Sequence, residues 1–231
     1  MKGKDAEADW HGFASCEDCG IRDLVLFADL DGQDLETIHL PIEDIHLAPG
    51  ASLYGAGQEA VALYTVREGL LKQEQYLPDG TLRIVSLLRR GDVAGLEALV
   101  AAEYEHTTVA LQPAKVCRLP KELVSRLSPK LHRQLMNKWN GAVQRSHECT
   151  RELSTGTARQ RVARLFLILA AADSASCRLF SREDMGGLLG ITTQTASRIV
   201  AEFKRQGAVH EVAPNLFERS LDALRRIAAE G

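Results

Sequence analysis

No apolar run in this chain approaches the roughly 18 residues that a membrane span requires. The opening stretch, Met1 to Trp10, is charged and polar where a secretory signal would carry an apolar core. A soluble, cytoplasmic protein with no membrane association is expected. Also missing are a Walker loop, an H-E-x-x-H pair and a Ser, His, Asp order of the hydrolase kind, so no enzyme is expected. Nor is there a signature of disorder: 45% of the residues are hydrophobic and 26% charged, a balance that lets a chain bury a core. Cysteine is sparse. Five of them (Cys16, Cys19, Cys117, Cys149 and Cys177) in a chain without a signal segment argue against a disulfide framework and leave thiols, ligands or core residues as their roles.

What is present is enough chain for two domains, since 231 residues allow each to bury its own core. The formal net charge of −3 looks wrong for a partner such as nucleic acid, whose phosphates call for Lys and Arg. The charge is uneven, however. From Ser154 onward 11 Lys plus Arg stand against 8 Asp plus Glu, a surplus of three, while the first 153 residues hold 17 against 23. A surplus of that size is by itself ordinary for a solvated face.

Between Leu47 and Leu119 short apolar runs alternate with glycine turns. Val61, Leu63, Thr65 and Arg67 interleave with Ala62, Tyr64 and Val66 at period two, Pro78-Asp79-Gly80 is a turn, and Gly91-Asp92 is another. Strands at intervals of roughly 8–12 residues predict an antiparallel sandwich or roll. The glycine density predicts no helix in this stretch.

The pattern changes near Pro129. Leu131 to Leu153 has no Pro and one Gly, and Leu135, Trp139, Val143, Ser146, Thr150 and Leu153 recur at a four-three spacing. This predicts a long helix with a narrow seam. A seam can pack on the chain's own core; with polar Asn137, Lys138, Gln144 and Arg145 on the outer faces, a seam shared with a second copy is the better reading.

Arg159 to Ala172 predicts a second, buried helix. At Ser181 a helix start follows, with the serine as cap, Asp184 three residues on, and Met185, Leu188 and Leu189 as apolar positions. Gly190 supplies a left-handed end, Ile191 a buried spacer, and Thr192 or Thr193 the cap of a third helix running to Gly207. Two short helices joined by a tight glycine turn make a helix-turn-helix, whose second helix lies in the DNA major groove. Ala196, Ile199, Val200 and Phe203 form its inward face, so Thr192, Thr193, Gln194, Ser197, Arg198 and, further on, Lys204 are left as candidate DNA contacts. Arg can bond both acceptors of a guanine edge, Gln can pair with adenine, and Ser or Thr can hold phosphates or bases. The plainer reading makes these solvated residues of an ordinary amphipathic helix. Ala208 to Val212, a Pro214-Asn215 turn, and Leu216 to Arg219 predict a hairpin wing.

With LYGAGQ, LYTVREGLLK, PDGTLRIVSLLRRGDVAG and VCRLP in the first part and FSREDMGGLLGITTQTASRIVAEFKRQG in the second, the chain resembles the CRP/FNR superfamily of bacterial transcription regulators over nearly its whole length. The resemblance implies an α+β protein. Its parts are a β-roll sensor over 1–128 carrying the N-terminal cysteine segment, a dimerisation helix over 129–153, and a winged helix-turn-helix over 154–231. It further implies a homodimer on a two-fold symmetric double-stranded DNA site, with RNA polymerase as a partner. Relatives that read TTGAT-type half-sites have a Glu, two residues, then Ser-Arg in the reading helix. Ser197 and Arg198 match; the Glu position holds Gln194.

Several signals come into question for the sensor. The cAMP-binding pattern of the family has a Gly-Glu-Leu segment and an Arg-Ser pair, where this chain shows Gly95-Leu96-Glu97 and His106-Thr107; without an arginine the cyclic phosphate lacks its partner, so cAMP is not expected. Oxygen-sensing FNR proteins hold an iron-sulfur cluster with three N-terminal cysteines and one from the roll. Cys16, Cys19 and Cys117 match three of those positions, while the remaining place is Val25, so a cluster or other metal would need a fourth ligand such as His11, Asp18 or Asp23. A thiol redox switch, haem or another effector stays open beside it, with Cys117 as a plain buried residue. Cys149 lies near the seam, and Cys177 sits in a loop-like stretch with no role assigned. A thiol oxidoreductase built on Cys16-Glu17-Asp18-Cys19 is the competing enzyme reading, disfavoured because no βαβ pattern surrounds it.

Overall fold

The computed structural model describes residues 9–13, 42–122, 129–169 and 176–230. Two compact units result, one of Met1–Gln75 with Val85–Arg145, the other of Tyr76–Ile84 with Ser146–Gly231.

The first unit is built from antiparallel strands in two sheets. One has the order β1 (Asp9–Phe13), β2 (Glu43–Leu47), β9 (Ala114–Pro120), β4 (Ala62–Glu68), β7 (Val93–Ala94); the other has β3 (Ser52–Tyr54), β8 (Thr107–Ala110), β5 (Leu71–Tyr76), β6 (Leu82–Leu88). Leu47, Ala62, Val66, Leu71, Ala110 and Val116, drawn from both sheets, share one apolar core, as a roll requires. The Pro78-Asp79-Gly80 turn closes between β5 and β6. The Asp79 carboxylate accepts the Thr81 N–H at 2.9 Å, and Gly80 N–H donates to the Leu77 carbonyl at 2.8 Å.

The strand reading holds for β4, and one expectation for this region needs correction. Alternation in β4 does not separate a wet from a dry face, because five consecutive residues, Ala62 to Val66, are all buried; the strand is covered on both sides. The glycine-rich stretch, predicted to have no helix, holds a short 3-10 helix, Leu96–Leu99, one turn being all that such a segment needs to carry.

A column of aromatic rings fills part of this core. Tyr54 stacks on Tyr104 with ring centroids 3.9 Å apart and on Tyr64 at 5.6 Å. The Tyr104 hydroxyl donates to the Ala62 carbonyl at 2.7 Å and accepts the Ala62 N–H at 3.1 Å. Burial pushes the Tyr54 and Tyr104 hydroxyls well above the usual phenol range.

The long helix α1 spans Pro129–Leu153. Within the first unit it is tied to the β6–β7 turn: Lys138 donates to the Gly91 carbonyl at 2.8 Å and Arg145 pairs with Asp92 at 3.0 Å.

In the second unit α2 (Ala158–Ile168) starts at a capping box, in which the Thr157 hydroxyl accepts the Gln160 N–H and the Gln160 side chain accepts the Thr157 N–H. Then come β10 (Ser176–Arg178), α3 (Arg182–Leu189), α4 (Thr193–Arg205), β11 (Val209–Ala213), β12 (Leu216–Arg219) and α5 (Leu221–Ala229). The expected loop at Cys177 is in fact strand β10, paired with β12 through Cys177 and Phe217, so the small sheet has three strands in the order β10-β12-β11.

Candidate DNA-binding surface

Local chemistry sets α3 and α4 in place. Ser181 caps α3, its hydroxyl accepting the Asp184 N–H at 3.0 Å. The helix ends at Gly190 with φ of 63°, a conformation that costs a Cβ-bearing residue energy. Gly186 sits mid-helix, where glycine is unfavourable, and the reason is contact: a Cβ there would lie 2.7 Å from the Ile191 carbonyl oxygen. The turn between the helices can therefore fold tightly against α3. Ile191 itself is only half-buried.

Thr192 is the cap of α4, accepting the Thr195 N–H at 3.1 Å and donating to the Thr195 hydroxyl at 3.0 Å. Ala196, Ile199, Val200 and Phe203 are buried along one face. Thr192, Thr193, Gln194, Ser197, Arg198 and Lys204 are all exposed. The bulk of the helix is anchored from behind. Phe203 lies 6.3 Å from Phe166, which meets Phe217 edge-on at 5.6 Å. The Arg159 guanidinium sits 5.7 Å from the Phe203 ring, pairs with Glu202 at 3.1 Å and donates to Gln206 at 2.9 Å. From β12, Arg219 donates to the Phe166 carbonyl at 2.8 Å, a cation on the last turn of α2.

Beside α4, β11 and β12 form a hairpin around Pro214 and Asn215, with Asn215 at φ of 58°, a region asparagine tolerates better than most residues. Lys204 reaches across to it and pairs with Glu211 at 2.7 Å. Glu211 and Arg219 fall in the predicted wing but their partners were not legible, and Arg159 was not legible as part of this surface. Each acts on a partner brought close only by the fold, and no local motif marks them.

On α1 the predicted seam divides. Leu135 joins the core of the first unit and Leu153 is 1% exposed, whereas Trp139 and Val143 are 38% and 41% exposed. Ser146 and Thr150 are exposed, with the Thr150 hydroxyl donating to the Ser146 carbonyl at 3.0 Å. Met136, one turn before Trp139 and 66% exposed, belongs to the same apolar stripe; its three-residue spacing from Trp139 was the available signal.

Of the candidate metal ligands, Cys16 and Cys19 lie outside the described residues. Cys117 is buried and not disulfide-bonded. It stands across from Asp44 on β2 and Thr65 on β4, and cross-strand partners share a face. Asp44 pairs with Arg67 through Oδ2 at 3.2 Å, while its Oδ1 is buried without a hydrogen bond. A thiol and a carboxylate oxygen on one face are donors that iron or zinc accepts. Among the described residues no group of three or more His, Cys, Asp or Glu is gathered for a metal. Cys149 is half-buried on α1, and Cys177 is buried on β10. No helix among the described residues is long and apolar enough to cross a membrane.

A roll followed by a capped helix pair, an anchored second helix and a hairpin wing defines the class of regulators that bind DNA through a winged helix-turn-helix. Residues 44–129 match the cyclic nucleotide-binding domain family, and residues 160–227 match the Crp-like helix-turn-helix domain family. The fumarate and nitrate reduction regulatory protein of Escherichia coli K12 is 28% identical over 224 residues, covering 92% of this chain and 90% of the relative. A CRP-family transcriptional regulator from Thermus thermophilus superposes with a TM-score of 0.71 at 26% identity, covering 80% of this chain and 97% of that one. FixK2 from Bradyrhizobium japonicum, at 23% identity, shares the fold with a TM-score of 0.72, covering 83% of this chain and all of that one. The chain belongs to the CRP/FNR superfamily, and it is a transcription regulator with a DNA-binding helix-turn-helix rather than an enzyme.

Proposed function

We propose that this regulator works in the cytoplasm as a homodimer on a two-fold symmetric DNA site, reading bases with Gln194, Ser197 and Arg198 and holding the backbone with Thr192 and Thr193. The observation that carries this reading is the division of α4: a fully apolar buried face, and on the other side a polar N-terminal half exposed as a groove-reading helix must be. Met136, Trp139 and Val143 form an apolar stripe on α1 that a second copy would cover. RNA polymerase is the expected partner at the promoter.

The first domain is proposed to respond to a redox signal, with Cys117 and the N-terminal pair Cys16 and Cys19 as ligands of an iron-sulfur cluster or other metal. A bound cluster would supply sensitivity to oxidants; Cys117, on strand β9 paired on both sides, would fix its position. What supports this is the likeness to the fumarate and nitrate reduction regulators and the buried thiol standing across from an unpaired carboxylate oxygen.

Selection of bound duplexes from a random-sequence pool tests the DNA reading. The expected result is a palindromic consensus bound with steep salt dependence, weakened by Arg198→Ala by about 1–3 kcal/mol with relaxed preference at one base pair. Absence of any enriched sequence and of low-salt binding would sink it. Light scattering on Trp139→Glu tests the dimer, which should dissociate. Absorption and iron analysis of protein purified without oxygen test the cluster; a colourless, metal-free protein refutes it.

A further inference from the structure

Lys204 sits in the last turn of α4, where a lysine facing DNA would ordinarily neutralise a phosphate. Its ammonium instead meets Glu211 Oε2 at 2.7 Å, and the other carboxylate oxygen, Oε1, accepts the Asn215 N–H at 3.2 Å. One carboxylate thus joins the end of the reading helix to the turn of the wing. We propose that Glu211 is a positioning residue for DNA binding: the Lys204–Glu211 pair is a neutral strut that sets the wing against the reading helix, and Lys204 is not one of the phosphate contacts. This rests on the DNA reading above.

Three observations support the strut. Asn215 is the one described non-glycine residue with a positive φ, 58°, so the turn holds a less common backbone conformation at the point where Glu211 grips it. The β11–β12 register also shifts between Glu211 and Ala213, a bulge that re-aims the strand. Lys204 and the Asn215 amide then lower the Glu211 carboxyl below its ordinary range, with Arg182 at the start of α3 adding to the effect. The pair is too exposed, at 46% and 29%, to add much stability; its value lies in geometry and in cancelling a negative charge that would otherwise face phosphate.

The test compares salt dependence for the full-length protein on a duplex that the wild type selects from a random pool. Glu211→Gln keeps an acceptor for the Asn215 amide and releases the lysine charge, so the slope of log affinity against log salt should steepen by about 0.9 per subunit. The double variant Glu211→Gln/Lys204→Ala, again neutral, should return to the wild-type slope. If Lys204 already contacts a phosphate, Glu211→Gln leaves the slope unchanged and the double variant makes it shallower by about 0.9 per subunit, and the proposal is overturned. Hydrogen exchange without DNA gives a second readout. The Asn215 amide should exchange several-fold faster in Glu211→Ala and stay slow in Glu211→Gln; equal rates in all three proteins overturn the strut. Should Arg198→Ala and Gln194→Ala leave binding intact, the DNA reading fails, while the exchange experiment still decides the strut.

Discussion

Replacing Phe203 by alanine separates support of the reading helix from reading itself. The ring is fully buried, packs 6.3 Å from Phe166, and has the Arg159 guanidinium 5.7 Å from its centre. Truncation removes the ring's transfer free energy, its aromatic contacts and the stacking surface for Arg159, and leaves a cavity that helices fixed by caps at Thr157 and Thr192 close only in part. A buried Phe→Ala change costs about 3–5 kcal/mol. For a unit of this size each kcal/mol moves the midpoint by roughly 4 °C or more, so the C-terminal transition should fall by about 12 °C or more. Differential scanning calorimetry reads this directly, and DNA affinity should drop with it although Phe203 touches no DNA. Gln194→Ala is the control, since an exposed residue changes stability by no more than about 0.5 kcal/mol while losing a base contact. A Phe203→Ala midpoint within a degree or two of wild type would mean that α4 is rotated from the orientation described, and the proposed base contacts would fall with it.

Thr192→Ala should cost about 1 kcal/mol by removing the cap of α4; urea unfolding reads the loss, which Thr192→Ser should largely restore. Asp92 gives a pH signature. Burial raises its carboxyl above the ordinary range, against the Arg89 amide and the Arg145 guanidinium, which pull it down. The folded state therefore binds this proton more tightly than the unfolded chain, and the contribution present at low pH is lost as pH rises through the raised value. Unfolding of wild type and Asp92→Asn, compared from below the ordinary carboxylate range up to neutrality, should show the variant gaining relative stability with rising pH; a constant difference refutes this. Burial pushes the Cys177 thiol up to about 11, so iodoacetamide should label it only after denaturation, and prompt labelling of the native protein in mass spectrometry would contradict its place on β10.

The helix-turn-helix was legible because its determinants are local. Ser181, Gly190 and Thr192 are caps and a left-handed end within about a dozen residues, and Ile199, Val200 and Phe203 fall on one helical face. Strand β10 was not legible. Its three residues carry no pattern of their own and become a strand only by pairing with β12, some forty positions later. Helix α5 was not expected either, even though Ser220 caps it and Leu224 and Ile227 bury at helical spacing, because its start follows directly on the last strand of the wing. In β4 the period-two pattern did mark a strand, yet Thr65, 2% exposed, is as buried as its neighbours. Period two in a sequence reports chemistry, not which faces the rest of the fold will cover. Gly186 carried a signal, a glycine mid-helix, whose cause was visible only when the Ile191 carbonyl took its place beside it.

The stacked tyrosines of the first unit bear on how a signal can act. Tyr104 is held at both polar groups of Ala62, and Tyr54 stacks on the rings of Tyr104 and Tyr64. An effector entering there must first evict side chains that already satisfy one another, repaying both their contacts and the Ala62 amide and carbonyl they serve. Occupying the space these rings hold is therefore costly. On the redox reading proposed above, a bond gained or lost at Cys117, buried in that same core, would act from within a body too densely packed to absorb it.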